Sequence, residues 1–123
     1  MAPPRILVVD DDAALRDIVQ EALSVAGYAP VAVGTGPEAL AAARAHPPAL
    51  ILLDHKLPGM DGPAVLTALQ ADPQLRTIPV LLLTGSLGDL PRQPGVAASL
   101  QKPFVLQDLE ATVRALLAAS PGD

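Results

Sequence analysis

Arg5-Ile6-Leu7-Val8-Val9-Asp10-Asp11-Asp12 is an apolar run that stops abruptly on three acids. Ile6 to Val9 is continuous and mostly β-branched, as suits a strand covered on both faces. Helical spacing follows at once, with Leu15, Ile18, Val19, Ala22, Leu23 and Ala26 on one stripe and Gly27 at the C′ position of the helix they define. A strand, a polar end and a helix in that order set the pattern for the rest of the chain.

Working outward, Tyr28 to Val33 reads as a second strand, and Pro30 places it near a sheet edge, because proline cannot donate to a ladder on both sides. Thr35-Gly36-Pro37-Glu38 fits a capping box with proline in the tolerant first turn, and Pro47-Pro48 ends the helix by His46. Leu50 to Leu53 is a third buried strand running into a Pro- and Gly-rich loop, His55 to Gly62. Pro63 to Ala71 makes a third helix closed by Asp72-Pro73, Val80 to Leu83 a fourth strand, and Ala98 to Gln101 a short fifth. Leu106, Leu109, Val113, Leu116 and Leu117 mark a C-terminal helix. Strands alternating with helices imply a parallel sheet with helices on both faces. Gly85 to Val96 breaks the rhythm: Gly85, Gly88, Gly95, Pro91 and Pro94 leave room for one or two irregular turns at most.

The 123 residues suit one domain. Half are hydrophobic but only 2% aromatic, so the core is Leu, Ala and Val. Thirteen acids against eight bases give a formal charge of −5, which disfavours nucleic acid and anionic membrane surfaces as partners. The absence of cysteine excludes disulfide frameworks, cysteine-ligated zinc and thiol catalysis. No apolar run approaches the ~18 residues of a membrane span, and Met1-Ala2-Pro3-Pro4-Arg5 lacks a signal-peptide core, so a cytoplasmic location is expected.

The polar residues fall at the carboxyl ends of the strands: Asp10 and Asp11 after the first, Asp54 after the third, Thr84 after the fourth, Lys102 after the fifth. In an open doubly wound sheet the ligand crevice lies outside those ends, so the five are expected in one pocket. Three neighbouring carboxylates need a cation or a raised pKa, and a hard divalent ion such as Mg²⁺ suits them. With a fixed lysine and a hydroxyl beside them, the inventory matches phosphoryl transfer, which depends on positioning and charge neutralisation.

Ile6 to Asp12, Leu52-Leu53-Asp54 with Pro58-Gly59-Met60-Asp61-Gly62, Leu83-Thr84-Gly85 and Lys102-Pro103-Phe104, occurring in that order, resemble the receiver domain of two-component response regulators. The resemblance implies a flavodoxin-like sheet of order 2-1-3-4-5, one domain over residues 1–123 with its core at about 5–118, and a tail or linker start at 119–123. It implies that Asp54 takes a phosphoryl group from a sensor histidine kinase or a histidine phosphotransfer protein. Asp11 would bind Mg²⁺ directly and Asp10 through water, with the Lys56 backbone carbonyl and Asp54 completing the site and Mn²⁺ as a substitute. Lys102 would pair with Asp54 or its phosphoryl oxygens, Thr84 would turn its hydroxyl to the phosphoryl group, and Gly85 would keep the approach open. Lys56 and Ser86, two residues beyond Asp54 and Thr84, would tune the lifetime of the modification. The peptide before Pro103 would be cis, against about 5–6% of X–Pro bonds generally.

Two departures stand out. Ser99 occupies the position, three before Lys102, where receivers carry Tyr or Phe, and the Gly85–Val96 segment is short where the family has its fourth helix. A non-standard output surface toward a downstream protein effector is therefore expected. The alternative is a pseudo-receiver, an interaction module of the same fold not controlled by phosphorylation. Enzymes on similar sheets fit less well. A dehalogenase-like phosphatase needs an acid where Lys56 stands, an FMN binder would have its phosphate repelled by Asp10-Asp11-Asp12, and no P-loop motif occurs.

Overall fold

The computed structural model describes residues 2–85 and 95–119. Along the chain run β1 (Arg5–Val9), α1 (Ala13–Val25), β2 (Ala29–Val33), α2 (Gly36–Ala45), β3 (Leu50–Asp54), α3 (Gly62–Ala71), β4 (Val80–Thr84), β5 (Val96–Gln101) and α4 (Leu106–Ala119). All strand pairs are parallel, and the sheet order is β2-β1-β3-β4-β5. The reading of the Gly85–Val96 crossover as helix-poor, and the tuning role of Ser86, fall on residues 86–94, which lie outside those described.

The central strands show why their sequences are apolar without alternation. Every residue of β3 and β4 is buried, as are Ile6 to Val9 of β1. Successive side chains nevertheless go to opposite faces. Leu7, Val9, Ile51, Leu53 and Leu82 pack under α2 and α3 with Leu40, Leu66 and Leu69. Ile6, Val8, Leu50, Leu52, Leu81 and Leu83 pack under α1 and α4 with Val19, Leu23, Leu109 and Val113. The edge strands are only half covered: β2, with Pro30, lies at one edge and β5 at the other.

Local signals set the helix ends. Asp12 caps α1 by accepting from the Ala14 and Leu15 N–H groups. The helix closes in a Schellman turn: Gly27 at φ +99° donates to the Ser24 carbonyl and Tyr28 to that of Leu23. Thr35 caps α2, though its hydroxyl donates to the Glu38 carboxylate at 3.0 Å while accepting from the Glu38 N–H, a variant of the expected box. Asp61, which reads as a turn residue in sequence, caps α3. β5 begins at Val96, earlier than the sequence suggests, because a register shift at Val80/Leu81 lets Val96 and Ala98 pair with consecutive residues of β4. An edge strand of Ala, Ser and Gln carries little apolar signal from which to read that start.

The sheet order has a switch point: the chain leaves β1 toward β2 on one side and returns to β3 on the other. The crevice therefore opens at the carboxyl ends of β1 and β3. Val9 pairs with Leu53, so Asp10 and Asp54 leave adjacent strands at the same level.

Candidate functional site

Asp10, Asp11 and Asp54 converge at that switch point, each with a carboxylate oxygen within 4.8 Å of the others. Asp10 and Asp54 are buried at 1% and 6% exposure, while Asp11 lies open at the rim. Asp54, His55, Lys56, Thr84, Gly85 and Lys102 join Asp11 around a cleft of ≈ 530 Å³. The sequence places the three acids, Thr84 and Lys102 in one pocket, and the fold brings them together.

Asp10 is tightly held. Its N–H donates to the Val33 carbonyl at 3.2 Å, its Oδ1 accepts from the Asp12 N–H at 2.9 Å, and its Oδ2 takes the Lys102 ammonium at 2.8 Å. Lys102 also reaches Asp54 Oδ1 at 3.4 Å. One ammonium thus bridges the two buried carboxylates, with Asp10 the nearer partner. Lys102 enters from the end of β5, where its N–H donates to the Thr84 carbonyl at 2.7 Å, and the Lys102–Pro103 peptide is cis. Thr84 is buried at the end of β4. Ser99 is exposed on β5, beside Leu82.

The loop after β3 shapes the other wall. The His55 N–H donates to Leu83, extending the ladder by one bond, and the Lys56 N–H lies 3.4 Å from Asp54 Oδ1. Leu57 is buried and Met60 packs on the same core, which pins the loop over α2 and α3. Gly59 takes φ +79°. Gly62 lets α3 start hard against the strand: its N–H donates to the His55 carbonyl at 2.9 Å, and a Cβ there would lie 2.8 Å from the Asp54 carbonyl oxygen. Those neighbours are backbone and cannot swing aside. Gly62→Ala is expected to destabilise the fold by about 1–3 kcal/mol, as overpacking does, measured as a lower urea midpoint. An unchanged midpoint would show that the loop relaxes freely.

Burial, and next the negative charge of Asp10, raise the Asp54 pKa above its ordinary value, against the lowering effect of Lys102 and the Lys56 N–H. For Lys102, burial disfavours the charge, but the hydrogen bond and charge of Asp10, with Asp54, outweigh it and raise the pKa. A folded-state pKa above the unfolded one means that the folded protein holds its proton longer, so stability is lost as pH rises through the folded value. The metal-free protein should accordingly lose stability relative to Asp54→Asn as pH rises from the ordinary carboxylate range through the raised Asp54 value. Thermal melts of both proteins across that window, in chelator, test the sign; a difference that does not change with pH would contradict it.

The donor set fits a hard divalent cation. Three carboxylates face one ammonium, and among the described residues no ion pair or hydrogen bond reaches the Asp11 carboxylate. An Mg²⁺-sized ion bound by one to three carboxylate oxygens, a backbone carbonyl and waters would offset the excess.

Two residues of this site are not evident in the sequence. His55 reads there as a surface residue, yet it is half-buried in the cleft wall; its only signal is that it directly follows Asp54. Arg16 reads as one more polar position of an amphipathic helix, yet its Nη1 donates to the Asp10 carbonyl at 2.7 Å. Among the described residues, no helix is long and apolar enough to cross a membrane.

Comparison with known proteins agrees with this geometry. Residues 6–114 match the family model described as the response regulator receiver domain. The chain is 40% identical over 119 residues to the DNA-binding dual master transcriptional regulator RpaA of Synechocystis, covering 93% of this chain and 49% of that protein. It is 39% identical over 117 residues to the DNA-binding response regulator MtrA of Mycobacterium tuberculosis, covering 92% and 50%. It thus spans about half the length of these curated relatives. Among solved structures, chemotaxis response regulator CheY4 of Vibrio cholerae superposes with a TM-score of 0.86 at 30% identity, over 93% of this chain and 98% of that one. The receiver domain of sensor histidine kinase PA1611 from Pseudomonas aeruginosa, solved with magnesium coordinated in its active-site cleft, gives 0.89 at 26% identity, over 96% and 100%.

Proposed function

This chain belongs to the response regulator receiver family, a regulatory module of two-component systems, and on that premise we propose that it accepts a phosphoryl group on Asp54. The observation that carries the reading is the buried Asp54 carboxylate, set in one cleft with two further acids, a threonine and a bridging lysine. An Asp54 oxygen attacks the phosphorus of a phosphohistidine; the O–P bond forms as the P–N bond breaks, and the imidazole leaves with that electron pair and takes a proton from solvent. Lys102 stands ready to pair with the oxygens of the transferred group, and Thr84 to donate its hydroxyl to them. Asp10, Asp11, Asp54 and the Lys56 carbonyl would hold Mg²⁺, which supplies charge neutralisation at the phosphoryl oxygens. The test is uptake from phosphoramidate, whose P–N bond stands in for phosphohistidine. One phosphoryl group per chain by intact mass, lost in chelator, is expected; no uptake with Mg²⁺ present would overturn the proposal.

The donor is a histidine kinase or a histidine phosphotransfer protein, docking beside the cleft. Leu15, Ile18, Pro103, Phe104 and Leu106 line a mostly apolar groove there, bordered by Lys102, with Ile18 51% exposed. Ile18→Ala removes apolar surface from that groove and adds no charge beside Lys102. It is expected to slow transfer from a protein donor at least about tenfold, as loss of a central apolar anchor does, while phosphoramidate uptake is unchanged. Equal slowing of both reactions would place Ile18 in the chemistry instead. Output passes to a downstream protein effector, and the exposed Ser99 on β5, where an aromatic ring would stand, supports a route that does not use a rotating ring.

A further inference from the structure

Arg16 stands in the first turns of α1, its N–H donating to the Asp12 carbonyl at 3.0 Å. Its side chain turns back over the end of β1, and Nη1 donates to the Asp10 carbonyl at 2.7 Å. Gly34, the residue after β2, lies against the same group: a Cβ there would fall 2.9 Å from Arg16 Nη1. With this contact the amide, the carbonyl and both carboxylate oxygens of Asp10 all have partners. On the far side of Asp11, Asp12 is fixed as the helix cap. The residue between them is clamped at both ends, and its own carboxylate faces the cleft.

We propose that Arg16 is a positioning residue for the divalent-cation site. By holding the Asp10 carbonyl it fixes the Asp10–Asp11 peptide, and with it the direction in which the Asp11 carboxylate leaves the chain. Gly34 provides the clearance that admits the guanidinium. The inference rests on the Mg²⁺ reading of the acid cluster. Charge and position here have opposite signs. A guanidinium near a cation site repels the cation, so loss of its charge alone would tighten Mg²⁺ binding. Loss of a second layer of support around the ligands weakens it.

The experiment is Mg²⁺ titration, followed by amide chemical shifts, of wild type, Arg16→Ala, Gly34→Ala and the double variant. Arg16→Ala is expected to raise the Kd about tenfold, the low end for loss of a supporting contact around a metal. Gly34→Ala should move the Kd in the same direction, because an added methyl displaces a flexible guanidinium more readily than it disturbs the fold. The double variant should bind no more weakly than Arg16→Ala alone. A merely structural contact would lower the metal-free melting temperature and leave the Kd of the folded protein unchanged. Arg16→Ala binding as tightly as wild type, or more tightly, would overturn the proposal; so would additive losses in the double variant. If Arg16→Ala fails to fold, a wild-type Kd for Gly34→Ala overturns it just as well. Wild type that takes up no Mg²⁺ would reject the metal site itself, and this inference with it.

Discussion

Asp54→Asn is expected to take up no phosphoryl group from any small donor and, at neutral pH without divalent cations, to melt above the wild type. The two effects have one cause. The Asp54 carboxylate is the group proposed to attack phosphorus, and an amide oxygen at that position is a far weaker nucleophile. The same carboxylate is buried beside Asp10, so its charge is a cost that the fold carries in the metal-free state. Asparagine keeps the shape and removes the charge. Mg²⁺ should also raise the melting temperature of the wild type more than that of the variant, since binding to the native state stabilises it in proportion to affinity and one ligand has lost its charge. Mass spectrometry and thermal melts with and without Mg²⁺ read all three effects. A variant that melts below the wild type would mean that Asp54 stabilises the fold, contrary to the electrostatics of the site.

Lys102→Ala should act in the opposite sense. The ammonium lies 2.8 Å from Asp10 and 3.4 Å from Asp54, and its removal leaves two buried carboxylates facing each other. Breaking a fully buried pair costs about 3–5 kcal/mol; with the lysine side chain 27% exposed, a loss of about 2–3 kcal/mol is expected from urea unfolding of the metal-free protein. Mg²⁺ should recover more stability in this variant than in wild type, because the ion no longer competes with the ammonium for Asp10 and Asp54. Phosphoryl uptake should still fall about 100-fold, the usual scale for loss of one fixed group that stabilises developing charge. A variant as stable as wild type in chelator would show that solvent screens the two carboxylates without the lysine.

Much of this molecule is legible in its sequence for a simple reason. Strands covered on both faces have to be apolar throughout, so Ile6–Val9, Leu50–Leu53 and Val80–Leu83 announce both their own positions and a parallel sheet. The acids and Thr84 stand out because each interrupts such a run at its carboxyl end, whereas Lys102 follows a half-covered edge strand and stands out through the Lys102-Pro103-Phe104 motif. Features that depend on spatial return are harder to read. That Lys102 lies closer to Asp10 than to Asp54 depends on where a long side chain comes to rest after crossing the sheet ends. Arg16 is a charged residue on a helix, indistinguishable in sequence from a solvated one; only the packing of α1 on β1 shows that it faces a carbonyl. Gly34 and Gly62 are both glycines before or within a helix start. Gly62 admits backbone and Gly34 a guanidinium, a difference no local pattern encodes.

The location of the phosphoryl group tests the proposed role of Asp54 most directly. After incubation with phosphoramidate and Mg²⁺, borohydride reduction converts an aspartyl phosphate to an alcohol that survives digestion, and peptide mass spectrometry identifies the residue that carried it. A single converted residue, Asp54, is expected, with no conversion when Mg²⁺ is chelated. Conversion at Asp10 or Asp11, or at Asp54 regardless of Mg²⁺, would contradict that role.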